Sequence, residues 1–361
     1  MDCSFEPDLT LDEWVGNLFN SLGNERFPLS ASIELTERCN LSCIHCYIKR
    51  APNDSSAQAR ELSASEWKEL IDQITDSGCL YLLISGGEPL LQKEFKEVFT
   101  YARKKGLIVT LFSNATLLTA EMADFLADYG LHSIEVSLYG ATQETYEKVT
   151  GIPGSFDRCL RGINLCLERG IDTNLKTVLL SWNIHELEAI KELAAKLGVK
   201  YRYDCQLWPR IDGSTEVLSF QLTQDEVLNL DFQDKERIEG WRKVERDLRN
   251  VFLREDKVFF CGAGFRSFHI DSSGNLMACM MTRKPSYNLL ELPFNIAWEE
   301  LGKIRDLKRQ RKTECETCSV NGLCLQCPGW SLQYHGDYET PVSFVCDLGK
   351  KRAHLMNENR L

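Results

Sequence analysis

From residue 31 to about 205 the chain alternates β-rich runs with helical stretches, and this alternation restricts the fold more than any other feature. The runs are SIELT (32–36), LYLLIS (80–85), LIVTLFS (107–113), SIEVSL (133–138), NLKTVLL (174–180) and VKYRY (199–203). Between them lie SASEWKELIDQITDSG, EFKEVFTYARKKG, TAEMADFLADYG, SFDRCLRGINLCLERG and NIHELEAIKELAAKLG, each ending at glycine. In the first of these helical stretches Trp67, Leu70, Ile71 and Ile74 recur at helical spacing behind a capping serine, Ser63 or Ser65, and Gly78 supplies the stop. Repeated β-then-α units require parallel strands joined by crossover helices. Six units predict an α/β fold, a partial (β/α)6 TIM-like barrel rather than a closed one, with its chemistry at the C-terminal ends of the strands.

That placement gathers four stretches at one mouth. CNLSCIHCY (39–47) follows the first run, SGGEP (85–89) the second and SNATL (113–117) the third, while Ser137 ends the fourth. The stretch 211–258, with QDEVLNL and EGWRKVERDLRNVFL, reads as a polar helical connector. Beyond it helical periodicity weakens and cysteine spacing dominates, as in a domain held by metal rather than by a core. The expected organisation is an N-terminal cap segment (1–30), the barrel (31–210), the connector (211–258) and a cysteine-rich domain (259–361).

The chain carries 15 cysteines. Its acidic start, MDCSFEPDLT, lacks the apolar core of a signal peptide, and its apolar runs are too short to span a bilayer. A cytoplasmic protein with no membrane partner is expected, in a compartment where clustered cysteines are metal ligands or catalytic groups more often than disulfides. The net charge of −11 argues against nucleic-acid binding. Cys39, Cys43 and Cys46 follow the spacing C-x3-C-x2-C. A closed metal site wants four ligands, so three thiols imply either an iron–sulfur cluster with one iron left open or structural zinc with His45 as fourth ligand. Gly86 and Gly87 allow close backbone approach to a ligand, and Glu88 can accept a bond from an ammonium group.

Seven further cysteines crowd the C-terminal region: Cys261, Cys279, Cys315, Cys318, Cys324, Cys327 and Cys346. Their C-x2-C pairs also suit zinc ribbons. Cys3, Cys79, Cys159 and Cys166 read as small buried apolar residues. Cys205 follows the sixth run and is expected to face the mouth, as a hydrogen-atom donor, a cluster ligand or an inert thiol, with Asp204 beside it as a proton acceptor. Trp330, Tyr334, His335 and Tyr338 are expected to shield clusters rather than touch substrate.

CNLSCIHCY, SGGEP, SNATL and VSLYGATQETYEKVTGIPGSFDRCLRGI together resemble the radical S-adenosylmethionine enzymes over residues 31–205. The resemblance implies a reducible [4Fe–4S] cluster on Cys39, Cys43 and Cys46, whose open iron binds the amino and carboxylate groups of S-adenosylmethionine. One-electron cleavage then gives a 5′-deoxyadenosyl radical that abstracts hydrogen from substrate. By position, His45 lies against adenine, Gly86, Gly87 and Glu88 hold the methionyl amine, Ser113, Asn114 and Ser137 bind ribose or carboxylate, and Lys148 meets the carboxylate.

Residues 259–347 resemble the SPASM extension of such enzymes, which implies two auxiliary [4Fe–4S] clusters. By analogy Cys315, Cys318, Cys324 and Cys346 hold the outer one, and Cys261, Cys279 and Cys327 the inner. Two residues separate Cys324 from Cys327 where three are usual. Some relatives carry an extra cysteine at the position of Glu255, so the inner cluster is expected to leave an iron open to a substrate thiolate or amide, or to Glu255 or Asp256.

The resemblance further implies a peptide or protein substrate that is crosslinked, epimerised or oxidised. A flavodoxin or ferredoxin is the expected electron donor. Only about thirty residues precede the first run, so leader recognition is expected from a separate protein or from the barrel itself. The alternatives are a small-molecule enzyme, such as a haem-precursor decarboxylase or a sugar dehydrogenase, and a non-catalytic iron–sulfur or zinc scaffold.

Overall fold

The computed structural model describes residues 23, 25–254, 257–320 and 322–358. Glu255, Asp256 and Cys3, and most of the N-terminal cap segment, lie outside the described residues.

The six runs form six strands: β1 Ser30–Glu34, β2 Tyr81–Ser85, β3 Ile108–Ser113, β4 Ser133–Ser137, β5 Thr173–Val178 and β6 Lys200–Asp204. All five neighbouring pairs are parallel. The crossovers carry helices α1 Ala64–Asp76, α2 Phe95–Lys104, α3 Ala120–Asp128, α4 Gln143–Thr150, α5 Ser155–Leu167 and α6 Leu187–Leu197. Helix α1 starts where the sequence asks it to. Ser63 accepts from the Glu66 backbone N–H while the Glu66 carboxylate accepts from Ser63, a capping box that contributes about 1 kcal/mol. Its face of Trp67, Leu70, Ile71 and Ile74 is buried against the sheet, so Leu70→Ala costs about 2–5 kcal/mol.

Strand alternation divides the wall. Ile33, Leu82, Val109, Ile134 and Leu175 pack outward beneath the helices, while the alternate residues turn to the barrel interior.

The sheet does not stop at the barrel. Helices α7 Gln224–Gln233 and α8 Lys235–Arg254 form the connector. Then β7 Ser267–Ile270 adds parallel to β1, and β8 Asn275–Met277 and β9 Tyr287–Asn288 follow antiparallel. Among the described residues the nine strands run β6-β5-β4-β3-β2-β1-β7-β8-β9, an open arc. Helix α9 Phe294–Gly302 seats Phe294 and Trp298 against Phe268 in the same core as the barrel. The expected loss of regular structure after 258 is therefore confined largely to the stretch between α9 and α10 Pro328–His335, which precedes α11 Ser343–Glu358. Among the described residues no helix is long and apolar enough to cross a membrane.

Candidate active site

The SGGEP loop is built against the loop after β1. Gly87 N donates to Thr36 O at 2.7 Å and Glu88 N to Arg38 O at 2.9 Å. A Cβ on Gly86 (φ +139°) would lie 2.2 Å from Thr36 O, and one on Gly87 would lie 2.3 Å from Arg38 O. Both glycines are thus required by backbone–backbone approach before any ligand enters. Glu88 has no exposed surface. Its carboxylate accepts from Ser113 Oγ (2.9 Å), Asn114 N (2.8 Å) and Leu90 N (3.1 Å). Burial pushes this carboxyl up to about 7, against the pull of those donors. Glu88 therefore braces the second and third loops from behind, and the residues that this loop turns to the cavity are Ser85, Gly86 and Gly87; the expected open contact of Glu88 with an amine is not made by this arrangement.

In front of this wall lies a cavity of about 310 Å³, within the range of small-molecule sites. Cys39, Cys43 and Cys46 line it together with His45, Ser113, Asn114 and Ser137. Leu41 N donates to Cys39 Sγ (3.4 Å), Asn114 Nδ2 to the same sulfur (3.7 Å) and Lys49 N to Cys46 Sγ (3.2 Å). Burial pushes the Cys39 thiol up to about 12, with the Glu88 charge adding to it, and burial together with the charges of Cys46 and Cys39 likewise pushes the Cys43 thiol well up. Three thiolates so placed need a cationic centre to exist at neutral pH. Among the described residues no group of three His, Cys, Asp or Glu is drawn together around a single ion; ligands of a polynuclear cluster each take a different iron. His45 stands edge-on to Tyr139 at 4.5 Å, burial lowers its pKa to about 4, and its Nδ1 has no hydrogen-bond partner among the described residues. The donor set fits an iron–sulfur cluster with an adjacent polar ligand.

Two expected site residues sit elsewhere. Cys205 packs with Leu179, Leu222, Val227 and Leu348 and is 5% exposed, away from the cavity. The chain alternates at this point, so Asp204 and Gln206 face the cavity and Cys205 between them faces the connector. Neither hydrogen-atom donation into the cavity nor ligation of a cluster there fits that direction. Lys148 is on the exposed face of α4, with its Nζ 4.4 Å from the centre of the Trp182 ring, and does not line the cavity. The basic residues that do are Lys176 and Arg202.

The structure also assembles a group that the motifs did not reveal. Glu34, the last residue of β1, is fully buried. Arg283 Nη2 lies 2.6 Å from its Oε1, Tyr47 OH donates to it at 3.1 Å, and His269 Nε2 is 3.5 Å away. Burial works against ionisation, but His269 and Arg283 outweigh it and hold the carboxyl down at about 2. Tyr47 follows Cys46, and Arg283 lies four residues beyond Cys279, so one carboxylate ties both cysteine-bearing loops to the barrel.

A model of the Radical SAM superfamily matches residues 33–194. The chain is 32% identical to mycofactocin maturase MftC of Mycolicibacterium smegmatis, over 82% of this chain and 77% of that protein. This protein belongs to the radical SAM superfamily. It is also 29% identical to the AdoMet-dependent heme synthase of Methanosarcina barkeri, over 86% of this chain and 94% of the relative. Its fold is that of Streptococcus suis SuiB solved with S-adenosylmethionine (TM-score 0.66, 17% identity, 96% of this chain and 83% of that one). The protein is an enzyme of a family that uses S-adenosylmethionine and a [4Fe–4S] cluster.

The SPASM-like region of this radical SAM enzyme separates its cysteines into two groups. Burial pushes Cys346 up to about 12, and the charges of Cys324, Cys315 and Cys318 add to it. Cys327 is raised by burial to about 11 and feels Cys279 and Cys261. At the shortened Cys324–Cys327 spacing Leu325 adopts a left-handed φ of 51°. From α10, Trp330 stacks on Trp208 at 5.8 Å and Tyr334 OH donates to Leu207 O at 3.2 Å. Trp208 and Leu207 line the cavity, so the tail aromatics back its wall.

Proposed function

We propose that this enzyme cleaves S-adenosylmethionine at the cavity and uses it to abstract hydrogen from a ribosomally made peptide or a protein, giving a crosslink, an epimerised centre or an oxidised side chain. The carrying observation is the convergence of Cys39, Cys43 and Cys46 with Gly86, Gly87, Ser113, Asn114 and Ser137 on one cavity at the strand ends. The three cysteines would hold a [4Fe–4S] cluster, which supplies the electron for cleavage when bound. The backbone of Gly86 and Gly87 would receive the methionyl group, Ser113, Asn114 and Ser137 the ribose or carboxylate, and His45 the adenine. Asp204, opening to the same cavity, would accept a substrate proton.

The two C-terminal groups would each hold an auxiliary [4Fe–4S] cluster: Cys315, Cys318, Cys324 and Cys346 the outer, Cys261, Cys279 and Cys327 the inner. A flavodoxin or ferredoxin would deliver electrons, and a separate protein or the barrel would recognise a leader sequence. The likeness to mycofactocin maturase MftC supports a peptide partner. One observation favours a second reading, a haem-type precursor as substrate: the likeness to AdoMet-dependent heme synthase spans 94% of that relative.

The test is 5′-deoxyadenosine formation by anaerobically reconstituted, dithionite-reduced protein. Product from the parent and none from Cys43→Ala is expected. Equal yields from both, or none from a parent that holds its clusters under every peptide and porphyrin tried, would overturn the proposal.

A further inference from the structure

The cavity has two faces. The loops after β1 to β4 form one, where the cofactor residues lie. The other is made by β5, β6 and the segment after them, and presents Lys176, Arg202, Asp204, Gln206 and Trp208. Lys176 is the unusual member. It is the one charged residue of NLKTVLL, lines the cavity from β5 and is largely buried. Its ammonium sits 2.9 Å from the centre of the Phe112 ring. Two carboxylates act on it and both are engaged elsewhere: Glu135 is held by Arg202 in an ion pair, and Glu88 accepts from Ser113, Asn114 and Leu90. Lys176 forms no ion pair with either among the described residues.

A buried ammonium with no counter-ion is costly, and a structure keeps one where a ligand brings the anion. In the sheet register Ser137, Lys176 and Arg202 are consecutive partners across β4, β5 and β6. Lys176 therefore stands between the cofactor face and Arg202. Burial lowers its pKa to about 7, so an arriving anion would fix its charge.

We propose that Lys176, flanked by Arg202, is the subsite for a carboxylate carried by the substrate. The inference rests on the cavity being the site proposed above. It narrows the substrate to a carboxylic acid: a peptide with a free C terminus or acidic side chain, or a tetrapyrrole bearing propionates. The cofactor has a carboxylate of its own, but in the proposed site the cluster with Ser113, Asn114 and Ser137 would receive that group, leaving Lys176 for the other reactant.

The test uses holoenzyme and two pairs of probes. One is coproporphyrin III against its tetra-amide; the other is a short peptide as free acid against its C-terminal amide. Quenching of tryptophan fluorescence, with Trp208 at the cavity, reads their binding. S-adenosylmethionine affinity is measured in parallel, and iron per chain confirms that each variant keeps its clusters. At least one acid is expected to bind the parent tenfold or more tightly than its amide. Lys176→Met should lose that preference while S-adenosylmethionine affinity stays within twofold, and Lys176→Arg should retain it. Which acid is preferred separates peptide from porphyrin. A tenfold loss of S-adenosylmethionine affinity in Lys176→Met would overturn the inference, since the lysine would then serve the cofactor. So would the absence of any acid preference in the parent. Because these are binding measurements, their failure is separable from a failure to form 5′-deoxyadenosine.

Discussion

Two regions of this chain present cysteine thiols in irregular loops, and the protein supports them differently. The loop carrying Cys39, Cys43 and Cys46 is anchored by distant backbone: Cys39 N donates to Arg50 O, Ser42 N to Thr150 O, Ile44 N to Val149 O, and Ile211 N to Tyr47 O. Arg210 adds a bond to Cys46 O at 3.2 Å. Around Cys315, Cys318 and Cys324 the described backbone bonds are local: Glu316 N to Thr313 O, Cys318 N to Cys315 O, Leu323 N to Val320 O and Leu325 N to Gly322 O. The first loop is shaped by the fold and offers a preformed site. The second is tied to the fold at Leu323, whose O accepts from the buried Arg352, and whatever its thiolates bind supplies further long-range crosslinks, so metal binding there contributes folding free energy.

The largest effect should come from removing metal. Chelation under anaerobic conditions is expected to leave far-UV circular dichroism nearly unchanged while limited proteolysis opens the chain between 311 and 327. Cleavage first within 39–47 would break the comparison.

Glu34 joins the two regions, so its loss should be felt in both. Glu34→Ala strands the Arg283 guanidinium and is expected to cost about 3–5 kcal/mol in denaturant unfolding. A change below about 1 kcal/mol would show that the pair does not hold the C-terminal region to the barrel.

The same carboxylate sets an acid dependence. Its folded pKa of about 2 lies below the ordinary 4.5. The unfolded chain therefore takes up this proton first as pH falls, and the stability that Glu34 contributes, on the order of 3 kcal/mol, is present above 4.5 and lost towards 2. Stability measured between pH 3 and 6 should fall less steeply in Glu34→Gln than in the parent, and parallel slopes would refute the assignment.

The smallest effects sharpen the boundary of the site. Cys205→Ala should cost about 1 kcal/mol of packing and leave 5′-deoxyadenosine yield within twofold. Lys148→Ala should change stability by less than about 0.5 kcal/mol and leave S-adenosylmethionine affinity unchanged. A tenfold loss of yield or affinity in either would return that residue to the site.

Much of the barrel was legible because its signals are local. Each β-rich run reads apolar over at least one face, glycine ends the helical stretches, and Ser63 with Glu66 spells a capping box. The metal-type spacing of Cys39, Cys43 and Cys46 and the SGGEP turn placed the mouth. What was not legible depends on direction and distance. Cys205 was read as facing the mouth because strand register after Tyr203 cannot be fixed from YDCQ, where no apolar alternation shows which residue points inward. Lys148 was carried by position alone, and the fold puts it outside. Glu34 and Lys176 did leave a signal, a single charge inside a β-rich run in SIELT and in NLKTVLL, but the groups around them lie on other strands and loops. The sharing of one sheet by β1 and β7 pairs residues more than 230 positions apart, beyond the reach of local pattern.

The most direct measurement is iron and zinc per chain for the anaerobically purified parent, for Cys39→Ala/Cys43→Ala/Cys46→Ala and for Cys315→Ala/Cys318→Ala. Three clusters require about twelve irons and no stoichiometric zinc in the parent, and about four fewer irons in each variant. The new proteolytic site at 311–327 is expected only in the second. About four irons in the parent, or zinc in the C-terminal cysteines, would contradict the three-cluster assignment.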